Sequence, residues 1–164
     1  MKTLYLVGGT MGVGKTTVCQ LLKRRLPRCV FLDGDWCWDA DPFVVTEETQ
    51  NMVMGNIAHL LQSFLDCSEY ENVVFCWVMH QQEIVDELLS RLRTDGVRVL
   101  PVSLVCEEAE LRRRLQRDVD AGIRLPDILE RSAARIPLYA ALCTLKVDVT
   151  ALSPAETAEA LMNL

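Results

Sequence analysis

The nine residues Gly8 to Thr16 read GGTMGVGKT, follow directly on the apolar run Leu4 to Val7, and hold four glycines ahead of a lysine and a hydroxyl residue. Within them, Gly9-Thr10-Met11-Gly12-Val13-Gly14-Lys15-Thr16 fits the pattern G-x-x-x-x-G-K-[ST] at every position. The pattern lies between a predicted strand and a predicted helix, the context it requires. Its glycines let backbone N–H groups converge on phosphate oxygens without Cβ interference, and the following helix adds the positive end of its dipole. Lys15 can then reach the outer phosphates, and the Thr16 hydroxyl can ligate Mg²⁺. Nucleotide binding is therefore expected along Gly9, Thr10, Met11, Gly12, Val13, Gly14, Lys15, Thr16 and Thr17.

The rest of the chain is consistent with one domain around that loop. Its 164 residues, half of them hydrophobic, can bury one core and are too few for two. A net charge of −6 and a pI near 4.9 argue against a general nucleic-acid-coating surface and favour a small-molecule partner. The apolar run near the start ends at Gly8, too short for a signal core, and no run approaches the roughly 20 residues of a membrane span. A soluble, cytoplasmic protein is expected. Seven cysteines, at 19, 29, 37, 67, 76, 106 and 143, form no C-x-x-C pair and read as reduced packing residues.

Short apolar runs recur as TLYLV from Thr3, CVFL from Cys29, VVFCWV from Val73, VLPVSLV from Val99 and LKVDV from Leu145. Most lack polar alternation, the pattern of strands buried on both faces. Between them, Val53, Ile57, Leu60, Leu61, Phe64 and Leu65 share a helical face, as do Ile84, Val85, Leu88, Leu89 and Leu92, while Leu111, Leu115 and Val119 repeat every four residues. Ser153-Pro154-Ala155-Glu156 combines an N-cap, a first-turn proline and a capping-box glutamate, so a last helix is expected there. Strand alternating with helix implies an α/β fold, a parallel sheet with helices on both faces.

The second strand runs into LDGD, with Asp33 and Asp35 two residues apart. If the strand conformation persists, both point the same way from its carboxyl end, where ligands of open parallel sheets gather. Asp33 could then hold a metal through water, and Asp35 could orient an acceptor hydroxyl and take its proton. The competing reading is an ordinary turn in which the aspartates cap the next element. Trp36 and Trp38 could wall a pocket or fill the core. Past Leu111, Arg112 and Arg113 read as surface charges. Arg117, Arg124, Arg131 and Arg135 fall in a lid of about residues 117–135 that could close on a triphosphate, or else pair with Glu107, Glu110, Asp127 and Glu130. His80 follows the third strand, to meet an acceptor or cap the next helix, and His59 is structural.

The loop at Gly9 to Thr16, LDGD, Arg124, RIPLY at Arg135 to Tyr139 and the closing VDVTALSPAETAEAL resemble the small P-loop kinases of the shikimate, gluconate and nucleoside monophosphate kinase group. The resemblance spans essentially the whole chain and implies a five-stranded sheet in the order 2-3-1-4-5. It further implies that Asp33 serves the metal, Asp35 the acceptor, Arg124 the phosphates, and Arg135 the acceptor. Two departures stand out. Trp77-Val78-Met79-His80-Gln81-Gln82 replaces the glycine run of shikimate kinases, and a lid pair R-x-x-x-R meets Asp118 when counted from Arg114 and Arg117 when counted from Arg113. The expected function is ATP- and Mg²⁺-dependent phosphoryl transfer to a small-molecule hydroxyl. A nucleoside or nucleoside monophosphate kinase and a nucleotide-dependent switch or regulatory ATPase are the alternatives.

Overall fold

The computed structural model describes residues Met1–Leu164. Five strands, β1 (Lys2–Gly8), β2 (Cys29–Asp33), β3 (Asn72–Cys76), β4 (Val97–Val105) and β5 (Leu145–Asp148), form one parallel sheet in the order β2-β3-β1-β4-β5. This is the order the resemblance implied. Around it lie α1 (Lys15–Arg25), α2 (Glu47–Asp66), α3 (Gln82–Ser90), α4 (Glu108–Asp120), the short α5 (Ile128–Ala133) and α6 (Ile136–Ala140), and α7 (Pro154–Met162). No helix is long and apolar enough to cross a membrane.

The period-2 geometry of the central strands divides the core in two. Leu4 and Leu6 of β1, with Val73 and Phe75 of β3, face Ile57 and Leu61 of α2 and Leu88 of α3. Tyr5, Val7, Val74 and Cys76 face Val18 and Leu22 of α1, Leu111 and Leu115 of α4, and Leu161 of α7. Each such side chain contributes about 1.5–3 kcal/mol on burial, which explains why these strands read as unbroken apolar runs. On α2, Val53, Ile57, Leu61 and Leu65 are buried as the spacing predicts, but Leu60 turns outward at 36% exposure.

Four elements differ from the sequence reading, the first being β3, which ends at Cys76 and leaves Trp77 and Val78 of its apolar run beyond the strand. β5 is an edge strand with Leu145, Lys146 and Asp148 exposed, so it is not covered on both faces. β4 starts two residues early and contains Pro101 opposite Leu6; its ladder to β5 begins only at Val102, so at Pro101 it is still an edge, where a missing donor is tolerated. α2 starts at Glu47 behind a Thr46–Thr49 capping box that the apolar periodicity does not reveal.

α7 begins as its sequence dictates: Ser153 N–H donates to Glu156 Oε2 (2.8 Å), and Glu156 N–H donates to Ser153 Oγ (3.2 Å). Replacing Ser153 with alanine is expected to cost about 1 kcal/mol, read as a lower urea midpoint at unchanged slope. An unchanged midpoint would show that packing of Ala158 and Leu161 holds the helix without its cap.

Candidate functional site

The loop between β1 and α1 is shaped by glycines with different tasks. A Cβ at Gly12 (φ 86°) would stand 2.4 Å from Leu115 Cδ2, so glycine there lets the loop close on α4. At Gly14 (φ 102°) a Cβ would meet nothing within 4 Å, so the left-handed backbone alone demands glycine. Gly14 also caps α1 without a side-chain bond, and the first turn of α1 has no acidic residue. The first N–H groups of α1 are therefore available to an anion.

Lys15 bends over this loop, its Nζ donating to Gly9 O (2.7 Å) and Thr10 O (3.1 Å). Burial holds its pKa below the ordinary value, against the opposing pull of Cys76, Asp35 and Asp33. Thr10 faces inward. Its Oγ1 donates to Ser132 O (2.8 Å) in α5, and Ser132 Oγ donates to Met11 O (2.5 Å). The buried Ser132 is a site-supporting residue with no sequence signal, since a lone serine in a short helix carries no pattern.

Asp33, only 5% exposed, joins the loop to the next strand. Thr16 Oγ1 donates to Asp33 Oδ2 (2.7 Å), and the Asp35 amide donates to Asp33 Oδ1 (3.1 Å). The strand conformation does not persist to Asp35: β2 stops at Asp33, and Gly34–Cys37 forms a 3-10 turn capped by the Asp33 carboxylate. Asp33 thus caps a turn and faces Thr16 at once, so the two sequence readings of LDGD are compatible. Trp77 packs over the turn, where a Cβ on Gly34 would stand 2.5 Å from the indole Cγ. Burial and then the Asp33 charge raise the pKa of Asp35, while Lys15, Trp77 and Arg124 lower it.

These groups line a cleft of about 760 Å³ that includes Met11 through Val18, Asp33, Asp35, Trp77, Val78, Arg117 and Arg124. Its far end is built from α4 and from Val149 through Pro154. There Arg114, noticed in the sequence only for its spacing, donates to Glu110 (2.7 Å), Val149 O (2.8 Å) and Val13 O (3.3 Å). It ties the phosphate loop to the segment after β5. Arg113 and Arg114 together hold the Glu110 carboxyl at about 2.

Other expected site residues stand elsewhere. Gly9 and Thr10 lie under the loop and outside the cleft lining. Trp36 is 57% exposed and leans edge to face on Phe31 (5.3 Å between centroids) beyond the cleft. His80 and Arg135 also lie outside the cleft lining. Burial and then the Arg135 charge lower the His80 pKa, and its buried Nδ1 has no partner.

The arginines divide between the two readings: Arg131 pairs with Asp127 (3.1 Å) and Arg124 with Asp118 (3.1 Å), while Arg117 is exposed on the cleft. Of the expected lid, Ala121–Asp127 is exposed except at Arg124, but α5 is held to the loop through Ser132.

The sequence matches the family described as AAA domain over residues 6–136. No curated protein sequence matches the chain. Among solved structures, a Janibacter sugar kinase superposes with a TM-score of 0.74 at 14% identity, covering 99% of this chain and 94% of its own. The Deinococcus radiodurans tunicamycin resistance protein gives 0.72 at 17% identity, covering 99% and 95%. A Sinorhizobium meliloti gluconokinase gives 0.67 at 21% identity, covering 96% and 87%. These likenesses show a P-loop kinase fold.

The raised pKa of Asp35 has a consequence for stability. A carboxyl that binds its proton more tightly folded than unfolded costs stability above its folded pKa, and the cost vanishes below its unfolded value. Asp35→Asn is therefore expected to raise Tm at about pH 7 and to leave it nearly unchanged at about pH 3, measured by thermal denaturation at both.

Proposed function

Because the chain belongs to the AAA-domain family and has a P-loop kinase fold, we propose that it is an ATP- and Mg²⁺-dependent phosphotransferase acting on a hydroxyl of a small-molecule acceptor. The observation that carries this reading is the convergence of Lys15, the Thr16–Asp33 pair and Asp35 in one cleft. The gluconokinase and sugar kinase likenesses support an alcohol as acceptor.

The Thr16 hydroxyl and Asp33 carboxylate are hard oxygen donors, and no cluster of three metal-ligating side chains surrounds them. That sparse set suits Mg²⁺, which keeps several waters and takes phosphate oxygens. When bound, the ion neutralises charge between the outer phosphates. The amides at the start of α1 and the Lys15 ammonium hold the triphosphate. Asp35 orients the acceptor hydroxyl and receives its proton as the acceptor oxygen bonds to the γ-phosphorus, the bond to the bridging oxygen breaks and ADP departs. Its raised pKa makes Asp35 a better base than an ordinary aspartate, and a loose transition state asks little more. Arg124, beside Asp35 on the cleft, balances the charge on the transferred group.

The test is ADP release from Mg²⁺-ATP across sugars, polyols, hydroxy acids, alkyl and aryl alcohols, nucleosides and nucleoside monophosphates, with Lys15→Ala as the blank. One acceptor class is expected to stimulate release, and Asp35→Asn to lower kcat about 10²–10⁴-fold with nucleotide affinity retained. Activity should fall on acidification through a pKa above the ordinary 3.8, because the base must be ionised. Full turnover in Asp35→Asn would remove Asp35 from the mechanism. Stimulation by no acceptor would overturn the kinase reading.

A further inference from the structure

The two halves of the phosphate loop are held by different parts of the chain. The second half rests on α4, where Leu115 leaves no room for a Cβ at Gly12 and Arg114 donates to Val13 O (3.3 Å). The first half, Gly9 to Met11, is held by two buried hydroxyl side chains of α5 and α6. Ser132, fully buried in α5, donates from Oγ to Met11 O (2.5 Å) and accepts the Thr10 hydroxyl on its own carbonyl (2.8 Å). Tyr139, 1% exposed in α6, donates from Oη to Val78 O (2.5 Å), and the same carbonyl accepts the Gly9 amide (3.5 Å). Between the two hydroxyls the backbone stays right-handed helical through Ala134 and Arg135, so α5 and α6 form one short strap.

The Tyr139 contact falls on backbone that needs support. Met79, next to Val78, has a φ of 39°, a left-handed conformation that a long side chain enters only under strain. Such a conformation persists where its surroundings over-determine it, and the two donors on Val78 O together with the burial of Met79 do so here. Burial also pushes the Tyr139 pKa up, so the phenol keeps its proton through the neutral range. The residues held by the strap are those on which Lys15 rests, since its Nζ donates to Gly9 O and Thr10 O.

From these contacts we infer that Ser132 and Tyr139 are positioning residues for the nucleotide: the α5–α6 strap holds the first half of the phosphate loop, and with it Lys15, in the shape that receives phosphate. Both side chains lie outside the cleft lining, so each acts through the backbone it holds. Removing either hydroxyl strips a carbonyl of its donor, and the segment shifts towards another partner. The inference rests on the part of the phosphotransferase reading that puts the nucleotide at this loop, and it is independent of the acceptor.

The test compares Ser132→Ala and Tyr139→Phe with Arg112→Ala. The last removes the exposed Arg112–Glu130 pair (2.8 Å) between α4 and α5 without touching the loop. Mg²⁺-ATP affinity is measured by calorimetry without acceptor, well below the Tm of each variant. Ser132→Ala and Tyr139→Phe are each expected to raise Kd about tenfold, the factor for a loop that keeps its receiving shape a tenth of the time. The double variant should fall short of the product of the two, because both act on one strap. Arg112→Ala should bind as the wild type does. If Ser132→Ala does not fold, Thr10→Val, which removes only the hydroxyl bonded to Ser132 O, is read in its place with the same expected loss. Wild-type affinity in the folded strap variants, or an equal loss in Arg112→Ala, would overturn the inference and leave the phosphotransferase standing. Strap-sensitive binding without ADP release from any acceptor would support the strap and remove the kinase reading. A wild-type chain that binds no Mg²⁺-ATP would overturn both.

Discussion

The buried carboxylate of Asp33 joins the two halves of the site. One oxygen takes the Thr16 hydroxyl at 2.7 Å and the other the Asp35 amide at 3.1 Å. A carboxylate so far from water is tolerable only when its oxygens are occupied. The first bond sets the start of α1 against the end of β2, and the second folds the backbone into the turn that carries Asp35. The start of α1 and Asp35 are thereby kept at one spacing, because a shift of either partner would leave the buried oxygen unpaired.

A second set of contacts holds the loop from the other side. Thr10 and Met11 are tied to Ser132 of α5, and Arg114 reaches from α4 to the carbonyls of Val13 and Val149. The exposed ion pairs nearby add little stability individually, generally 0–1 kcal/mol. Arg114 is different in kind: its side chain is only 19% exposed, and it bridges three parts of the chain. With α5 and α4 anchored in this way, the short exposed turn Ala121–Asp127 is the part of the expected lid with the fewest buried contacts, and that turn carries Arg124.

The cleft is also divided chemically. At the α1 end and along α4 it presents amides, Lys15 and arginines, whereas beside Asp35 it meets Trp77 and Val78. The first surface is the one whose charge suits a triphosphate. Trp77 belongs to both halves, covering Gly34 while lining the cleft beside Asp35.

Much of this was legible in the sequence. The phosphate loop, the strand-helix alternation, the α7 cap and the aspartates of LDGD are local, because glycine conformation, side-chain period and capping act over a few residues. Other features join residues far apart in the chain and carry no local signal. Ser132 meets Thr10, Arg114 meets Val13 and Val149, Trp77 covers Gly34, and Pro101 is tolerated because the β5 ladder begins one residue later. The arginines show the same limit. Their spacing alone left Arg124 and Arg131 both between lid and surface pairing, the family resemblance singled out Arg124, and the folded chain has Arg124 on the cleft and Arg131 paired with Asp127 outside its lining. The sequence by itself thus determined a phosphate-binding loop at the head of a parallel α/β domain. Tertiary structure decided which side chains surround that loop and what faces Asp35, because those contacts depend on which elements the sheet order brings together.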